Sequence, residues 1–230
     1  MNIAGIQKLT LLDYPGLVAC TVFTGGCNFR CPFCHNAGLV VRSPTQAQLT
    51  EENFWDFLES RRGLLDGVVI SGGEPLLQDE LAPFLYKVKE KGLRVKLDTN
   101  GSLPERLRAL MEKGLLDCIA MDIKNSPQKY VRTAGTAVDL EAIGSSIALL
   151  LEEKIPYEFR TTAVRELHEA EDFAEIGKWI RGARQYYIQC FRDSGNLLSD
   201  GLSAPSHEAL EAFLAAARAS VPQAELRGVS

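Results

Sequence analysis

Gly25-Gly26-Cys27-Asn28-Phe29-Arg30-Cys31-Pro32-Phe33-Cys34-His35-Asn36 is the stretch from which the rest of the chain has to be read. Its cysteines are spaced Cys-x3-Cys-x2-Cys, so Cys27, Cys31 and Cys34 fall within eight residues. Three thiolates that close together on a loop can wrap one soft metal centre. A cubane 4Fe-4S cluster held by three cysteines keeps its fourth iron open to a further ligand, which makes the stretch read as a reaction centre. A closed zinc site fits less well, because it needs four ligands, usually as two pairs. His35 adjoins Cys34 too closely to complete a tetrahedron easily, and Cys20, Cys118 and Cys190 sit in apolar runs that read as strands. A disulfide framework suits neither this length nor an N-terminus, Met1-Asn2-Ile3-Ala4, without signal-peptide character.

The bulk properties bound the remaining possibilities. With 230 residues, 46% of them hydrophobic, the chain can bury a sizeable core as one large domain or two small ones. A net charge of −5 gives no basic footprint for nucleic acid, and no apolar run approaches the length of a membrane span. The expectation is a soluble, cytoplasmic protein.

Strand and helix patterns alternate on both sides of the cysteine loop. Val18 to Thr24 is a run of β-formers that Gly25 and Gly26 break. Further strands are expected over Gly67–Ser71, Leu93–Leu97, Cys118–Met121, Tyr157–Thr162 and Tyr186–Phe191. Thr50, Asp139 and Ser206 each open a helix, Ser102 and Glu105 form a capping box, and Gly92 and Gly114 end helices. Ile3 to Pro15 ends in the turn signal Asp13-Tyr14-Pro15-Gly16. About six strand–helix repeats argue for an α/β fold with parallel strands, too few for a closed eight-stranded barrel. The expected architecture is an open partial (β/α)6 barrel, with a flat doubly wound sheet as the alternative. It forms a single domain over residues 1–230: an N-terminal strand or hairpin extension (1–16), the core (17–200), and a C-terminal helix and tail (201–230).

The polar clusters fall just after strands. Parallel strands deliver their C-terminal ends to one edge, where loops form the natural site. Cys27, Cys31 and Cys34 follow the first core strand, and Gly72, Gly73 and Glu74 the second. Asp98 and Thr99 end the third, Asp122 and Lys124 the fourth; Arg160 lies in the fifth and Gln189 in the sixth. All are expected at one cavity. Two glycines let backbone approach a ligand closely, and their carbonyls with the Glu74 carboxylate offer acceptors to a cation. An arginine buried at 160 would need a partner, either a ligand carboxylate, Glu74 or an aspartate. His168 and His207 read as surface residues.

Cys27-x3-Cys31-x2-Cys34 resembles the cluster motif of the radical S-adenosylmethionine (SAM) superfamily. With Cys34-His35-Asn36 and a likeness over essentially the whole chain, it resembles the glycyl-radical-enzyme activases. Among these it is most similar to the anaerobic ribonucleoside-triphosphate reductase activating proteins, and more distantly to pyruvate formate-lyase activating enzyme. The resemblance implies a 4Fe-4S cluster on the three cysteines and SAM bound through its amino nitrogen and carboxylate to the open iron. Reductive cleavage then gives methionine and a 5′-deoxyadenosyl radical, which takes hydrogen from a glycine of a partner enzyme. It also implies that Gly72-Gly73-Glu74 meets the methionyl ammonium. Asp98, Thr99, Asp122 and Lys124 would line the cofactor pocket, with room for a monovalent cation at the aspartates. Arg160, Gln189 and Phe33 complete the implied set, Phe33 either packing on adenine or covering the cluster. The distant relative has a histidine near the position of Arg192, and this chain has none there. With no second cysteine set, an outside electron donor such as flavodoxin or ferredoxin is implied. Two other readings stay open at this point: a radical enzyme acting on a small molecule, similar to 7-carboxy-7-deazaguanine synthase, and a non-catalytic metal-binding module.

Overall fold

The computed structural model describes residues 1–40, 49–193 and 195–228. Its strands are β1 (Ile3–Thr10), β2 (Ala19–Thr24), β3 (Gly67–Gly72), β4 (Arg94–Thr99), β5 (Cys118–Asp122), β6 (Tyr157–Ala163), β7 (Tyr186–Cys190) and β8 (Ala224–Arg227), which follow one another across the sheet in chain order. The helices are α1 (Ala37–Val40), α2 (Glu51–Ser60), α3 (Leu81–Glu90), α4 (Pro104–Glu112), α5 (Tyr130–Ala134), α6 (Leu140–Leu151), α7 (Ala170–Trp179) and α8 (His207–Arg218). β1 runs antiparallel to β2, whereas β2–β3, β3–β4, β6–β7 and β7–β8 are parallel pairs. The six strands read from the sequence are β2 to β7, and both the strand–helix alternation and the parallel pairing are present.

Contacts gather the chain into two compact units. The first comprises Met1–Asn28, Gly38–Thr99 and Glu105–Ile119; the second comprises Phe29–Ala37, Asn100–Pro104 and Ala120–Ser230. In the first, Val22, Val69, Ile70 and Leu97 are fully buried on their strands, and Phe54 of α2 packs against Phe84 of α3 with ring centroids 5.0 Å apart. In the second, Phe173 of α7 stacks on Phe213 of α8 at 4.5 Å, and Phe159 and Ile188 are fully buried on their strands.

The starts of α2, α6 and α8 follow side-chain chemistry. Thr50 Oγ1 accepts from Asn53 N and Asn53 Oδ1 accepts from Thr50 N, each at 3.1 Å, a reciprocal cap on α2. Asp139 and Ser206 cap α6 and α8. Pro104 takes the first helical position of α4, which its fixed φ favours. Ser102 lies two residues earlier, its amide and hydroxyl both donating to Asn100 Oδ1 at 2.9 and 2.6 Å.

Two elements lie beyond the sequence expectation. α5 is a single short turn of helix after β5, closed by Gly135 in the left-handed region. β8 is four residues long in what the sequence suggested was a tail, whose last two residues lie outside the described ones. It is held by its pairing to β7, by Arg227 bridging to Glu158 at 3.1 Å, and by the Arg227 guanidinium 3.5 Å from the Tyr187 ring centroid.

The end of β3 positions the start of the cysteine loop. Gly73 N donates to Thr24 O and Glu74 N to Gly26 O, each at 2.9 Å. A Cβ on Gly73 would stand 1.9 Å from the Gly26 carbonyl oxygen, and one on Gly72 (φ +111°) 2.4 Å from Thr24 N. The room these glycines make is therefore taken up by backbone of the first unit. We expect Gly73→Ala to lower stability by about 1–3 kcal/mol, the usual range for overpacking, read from urea midpoints of the metal-free protein. Equal midpoints for variant and parent would contradict this packing.

Candidate functional site

The candidate residues divide between the two units. In the first, the backbone leading into Cys27 is bonded on three sides. Gly26 N donates to Leu39 O at 2.8 Å, Gly26 O accepts from Glu74 N, and Gln78 Nε2 donates to Gly25 O at 3.0 Å. Two motifs that are distant in sequence, Gly25-Gly26-Cys27 and Gly72-Gly73-Glu74, thus form one hydrogen-bonded structure. Glu74 is fully buried. Its Oε1 accepts from Leu76 N at 3.1 Å, capping the turn Pro75–Leu77, and from Thr99 Oγ1 at 2.8 Å. Thr99 thus ties the end of β4 to this motif. Asp98 is bonded by Lys96 Nζ at 2.8 Å, and Lys96 is only 1% exposed. The sequence reading passed over Lys96, because a lysine inside a strand reads as solvent-facing. The available signal was Asp98 two residues on: positions i and i+2 share a strand face, so the ammonium reaches its carboxylate.

In the second unit, Asp122 ends β5 between two cations. Arg160 Nε donates to Oδ1 at 3.0 Å and Lys124 Nζ to Oδ2 at 2.9 Å. Burial disfavours the Asp122 anion, but Arg160 and Lys124 more than offset this and hold its pKa well below the usual carboxylate range. Burial likewise opposes the charge on Lys124, while Asp122 and Cys31 lift it above the ordinary lysine range. Arg160 has an aspartate as partner, one of the options its sequence position left open.

The segment carrying Asp122 and Lys124 is held from behind at successive residues. Thr161 Oγ1 donates to Ile123 O at 2.8 Å. Asn125 Nδ2 donates to Thr133 Oγ1 and Leu167 O at 2.8 and 3.0 Å. His168 corrects the sequence reading: it is 3% exposed, not on the surface. Its Nε2 bonds to Lys124 O at 2.9 Å and its Nδ1 accepts from Val164 N at 3.1 Å. That pairing calls for a neutral ring protonated on Nε2, and burial lowers its pKa to the same effect. His207 is exposed, as expected.

The rest of the cysteine loop is also seated in the second unit. Arg30 N donates to Ala134 O at 2.8 Å, Ser199 N to Pro32 O at 3.1 Å, and Cys34 N to Cys31 O at 3.0 Å, closing a turn between two of the cysteines. Phe33 is buried, and the His35 ring lies 5.7 Å from that of Phe191. Gln189 sits near the end of β7, in register with Thr162 and Arg227.

The donor set suits an iron–sulfur cluster. Three soft thiols lie on one short loop, the donor type and spacing that an iron–sulfur cluster takes. Cys20 is fully buried in β2, and burial pushes its thiol up to about 12, which fits a small apolar core residue. Cys118 and Cys190 lie on two other strands. Among the described residues, no three His, Cys, Asp or Glu side chains are already gathered into a metal cage. The fit therefore rests on the donor chemistry and on how tightly the loop is seated.

Comparison with known proteins shows the family. Residues 21–180 match the radical SAM superfamily. A protein of Methanocaldococcus jannaschii, provisionally named glycyl-radical enzyme activating enzyme, is 35% identical over 196 residues, covering 82% of this chain and 79% of that one. The pyruvate formate-lyase-activating enzyme of Staphylococcus aureus is 31% identical over 148 residues, 58% of this chain and 57% of that enzyme, so the match spans little more than half of it. In fold, Streptococcus suis SuiB bound to precursor peptide SuiA superposes with a TM-score of 0.69 over 90% of this chain and 48% of SuiB, at 12% identity. The chain belongs to the radical SAM superfamily and, within it, to the glycyl-radical enzyme activating enzymes.

Proposed function

We propose that this chain activates a glycyl radical enzyme, anaerobic ribonucleoside-triphosphate reductase, using SAM and a 4Fe-4S cluster held by Cys27, Cys31 and Cys34. The bound cluster and SAM supply one-electron cleavage of a carbon–sulfur bond and a radical able to take hydrogen from the partner's glycine. The chain's own residues position the reactants and keep water away. The carbonyls of Gly72 and Gly73 offer acceptors to the methionyl ammonium, while Glu74 and Thr99 brace that segment. Lys124 and Arg160, oriented by Asp122, present cationic charge to the cofactor carboxylate. Thr99 and Gln189 supply polar contacts, and Phe33 an apolar one. A monovalent cation at Asp98 or Asp122 would share those carboxylates with Lys96, or with Arg160 and Lys124. The cysteines hold one cluster only, so the electron comes from outside, from flavodoxin or ferredoxin. The observation that carries the reading is the hydrogen-bonded union of the cysteine loop with Gly73-Glu74, which ties the cluster motif to the cofactor motif.

Anaerobic reconstitution, reduction and addition of SAM should yield methionine and 5′-deoxyadenosine. Cys31→Ala should lose iron and cleavage while keeping its far-UV circular dichroism. A fully loaded, reduced wild-type protein that leaves SAM intact would refute the proposal. Cleavage accelerated by a small substrate, with no radical passed to a reductase, would redirect it.

Asp122→Asn should weaken SAM binding about tenfold or more, a loss of about 1.4 kcal/mol, because Arg160 and Lys124 lose the anion that orients them. It should also cost about 1–3 kcal/mol of stability, through buried donors left poorly paired. The wild-type carboxylate has a depressed pKa, so its contribution is complete above the unfolded value near 3.9 and lost as pH falls towards the folded one. The stability gap should therefore stay flat from pH 5 to 8 and shrink only below about pH 4. A gap that closes between pH 6 and 8 would contradict the ion-pair assignment.

A further inference from the structure

Glu158 of β6 is a buried carboxylate, 5% exposed, set between the buried Tyr157 and Phe159. A carboxylate taken out of water needs a cation, and the pair it then forms seldom adds more stability than apolar packing would. Glu158 meets two cations. Its Oε1 and Oε2 accept from Nη1 and Nη2 of Arg227 on β8, at 3.3 and 3.1 Å. Its Oε1 also lies 3.7 Å from Nη1 of Arg160, on its own strand.

Strand register brings these groups together. Positions two apart share a strand face, so Glu158 and Arg160 extend from β6 in the same direction. Arg160 is in register with Tyr187 of β7, and Tyr187 with Glu225 of β8, two residues before Arg227. β7 lies between β6 and β8. The Arg227 side chain crosses it over Tyr187, its guanidinium 3.5 Å from the ring centroid, and so reaches Glu158. This two-point contact fixes the orientation of the Glu158 carboxylate as well as its distance. On the other side the row continues into the candidate site: Arg160 Nε donates to Asp122 Oδ1 at 3.0 Å, and Lys124 Nζ to Asp122 Oδ2 at 2.9 Å. Charges of opposite sign therefore alternate through Lys124, Asp122, Arg160, Glu158 and Arg227, all within the second unit.

We propose that Glu158 is a positioning residue of the cofactor site and acts through Arg160. This inference rests on the reading of Arg160 as a cation that meets the cofactor carboxylate. Nε and Nη1 are different donors of one rigid plane, so a carboxylate at each limits how the guanidinium can turn. The Arg160 backbone is fixed as well, its carbonyl accepting from Ile123 N at 2.8 Å. With Arg160 held by both Asp122 and Glu158, less ordering remains to be done when the cofactor binds. Glu158 needs no contact with the cofactor for this.

The test is a double-mutant cycle of Glu158→Gln and Arg160→Gln. One readout is the SAM dissociation constant of reconstituted, unreduced protein at equal iron content, where SAM binds without being cleaved. The other is the melting temperature of the metal-free protein. Glu158→Gln should weaken SAM binding about fivefold or more beside Arg160, and by less than about twofold in the Arg160→Gln background. Arg227→Gln separates this role from the pinning of β8: it should lower the melting temperature and change SAM binding by less than about twofold. Glu158→Gln leaves Arg227 short of a carboxylate, so the pair Glu158→Gln with Arg227→Gln is measured too and should weaken SAM binding as Glu158→Gln does. Wild-type affinity in Glu158→Gln, or equal weakening with and without Arg160, would overturn this inference alone. Matching effects of Glu158→Gln and Arg227→Gln in both readouts would do the same. Wild-type affinity in Arg160→Gln would overturn the reading of Arg160 and this inference with it.

Discussion

The contact on which the site depends is backbone against backbone. Thr24 to Gly26 lies so close to Gly72 to Glu74 that no β-carbon fits between them, and paired hydrogen bonds lock the approach. This places the entrance of the cysteine loop at a fixed offset from the segment assigned to the cofactor ammonium. A radical reaction without a side-chain base depends on such positioning, because the reacting groups come from the cofactors and the protein contributes geometry. Gly135 does the same for the other part of the loop, letting the Arg30 carbonyl settle onto α5. Glycines at both ends of the motif thus relate to the chain's own backbone as much as to any ligand.

Buried charge is the second constraint. Lys96 with Asp98, and Lys124 and Arg160 with Asp122, are largely buried ion pairs, where desolvation is costly unless each charge is met. Replacing such a pair with apolar residues is often neutral or stabilising, so stability alone explains these groups poorly. Asp98 and Asp122 stand at the C-terminal ends of β4 and β5, and the proposed function uses these charges to meet the cofactor. Behind them Thr161, Asn125 and His168 fasten the Ile123–Asn125 backbone, so Lys124 extends from a rigid base.

Much of this was legible in the chain itself. The six core strands announced themselves as short apolar runs, the first broken by Gly25 and Gly26 and the second by Gly72 and Gly73. Thr50, Asp139 and Ser206 marked their helices because capping is local chemistry, complete within three residues. The cysteine spacing and the polar residues after each strand are local patterns too, and the site proposed here is built on them. What escaped reading depends on distant partners. β8 is too short and polar to show a pattern, and it exists because β7 and Glu158 receive it. His168 looks like any loop histidine until the Lys124 carbonyl meets it. Lys96 carries an ordinary surface residue type, and only the fold shows it as a buried ammonium.

The most direct test of the account is electron paramagnetic resonance on the reconstituted, reduced chain mixed anaerobically with SAM and an anaerobic ribonucleoside-triphosphate reductase. The account predicts a glycyl doublet on the reductase that requires SAM and disappears with Cys31→Ala. A reductase left without radical, while the same preparation cleaves SAM at full cluster loading, would contradict it.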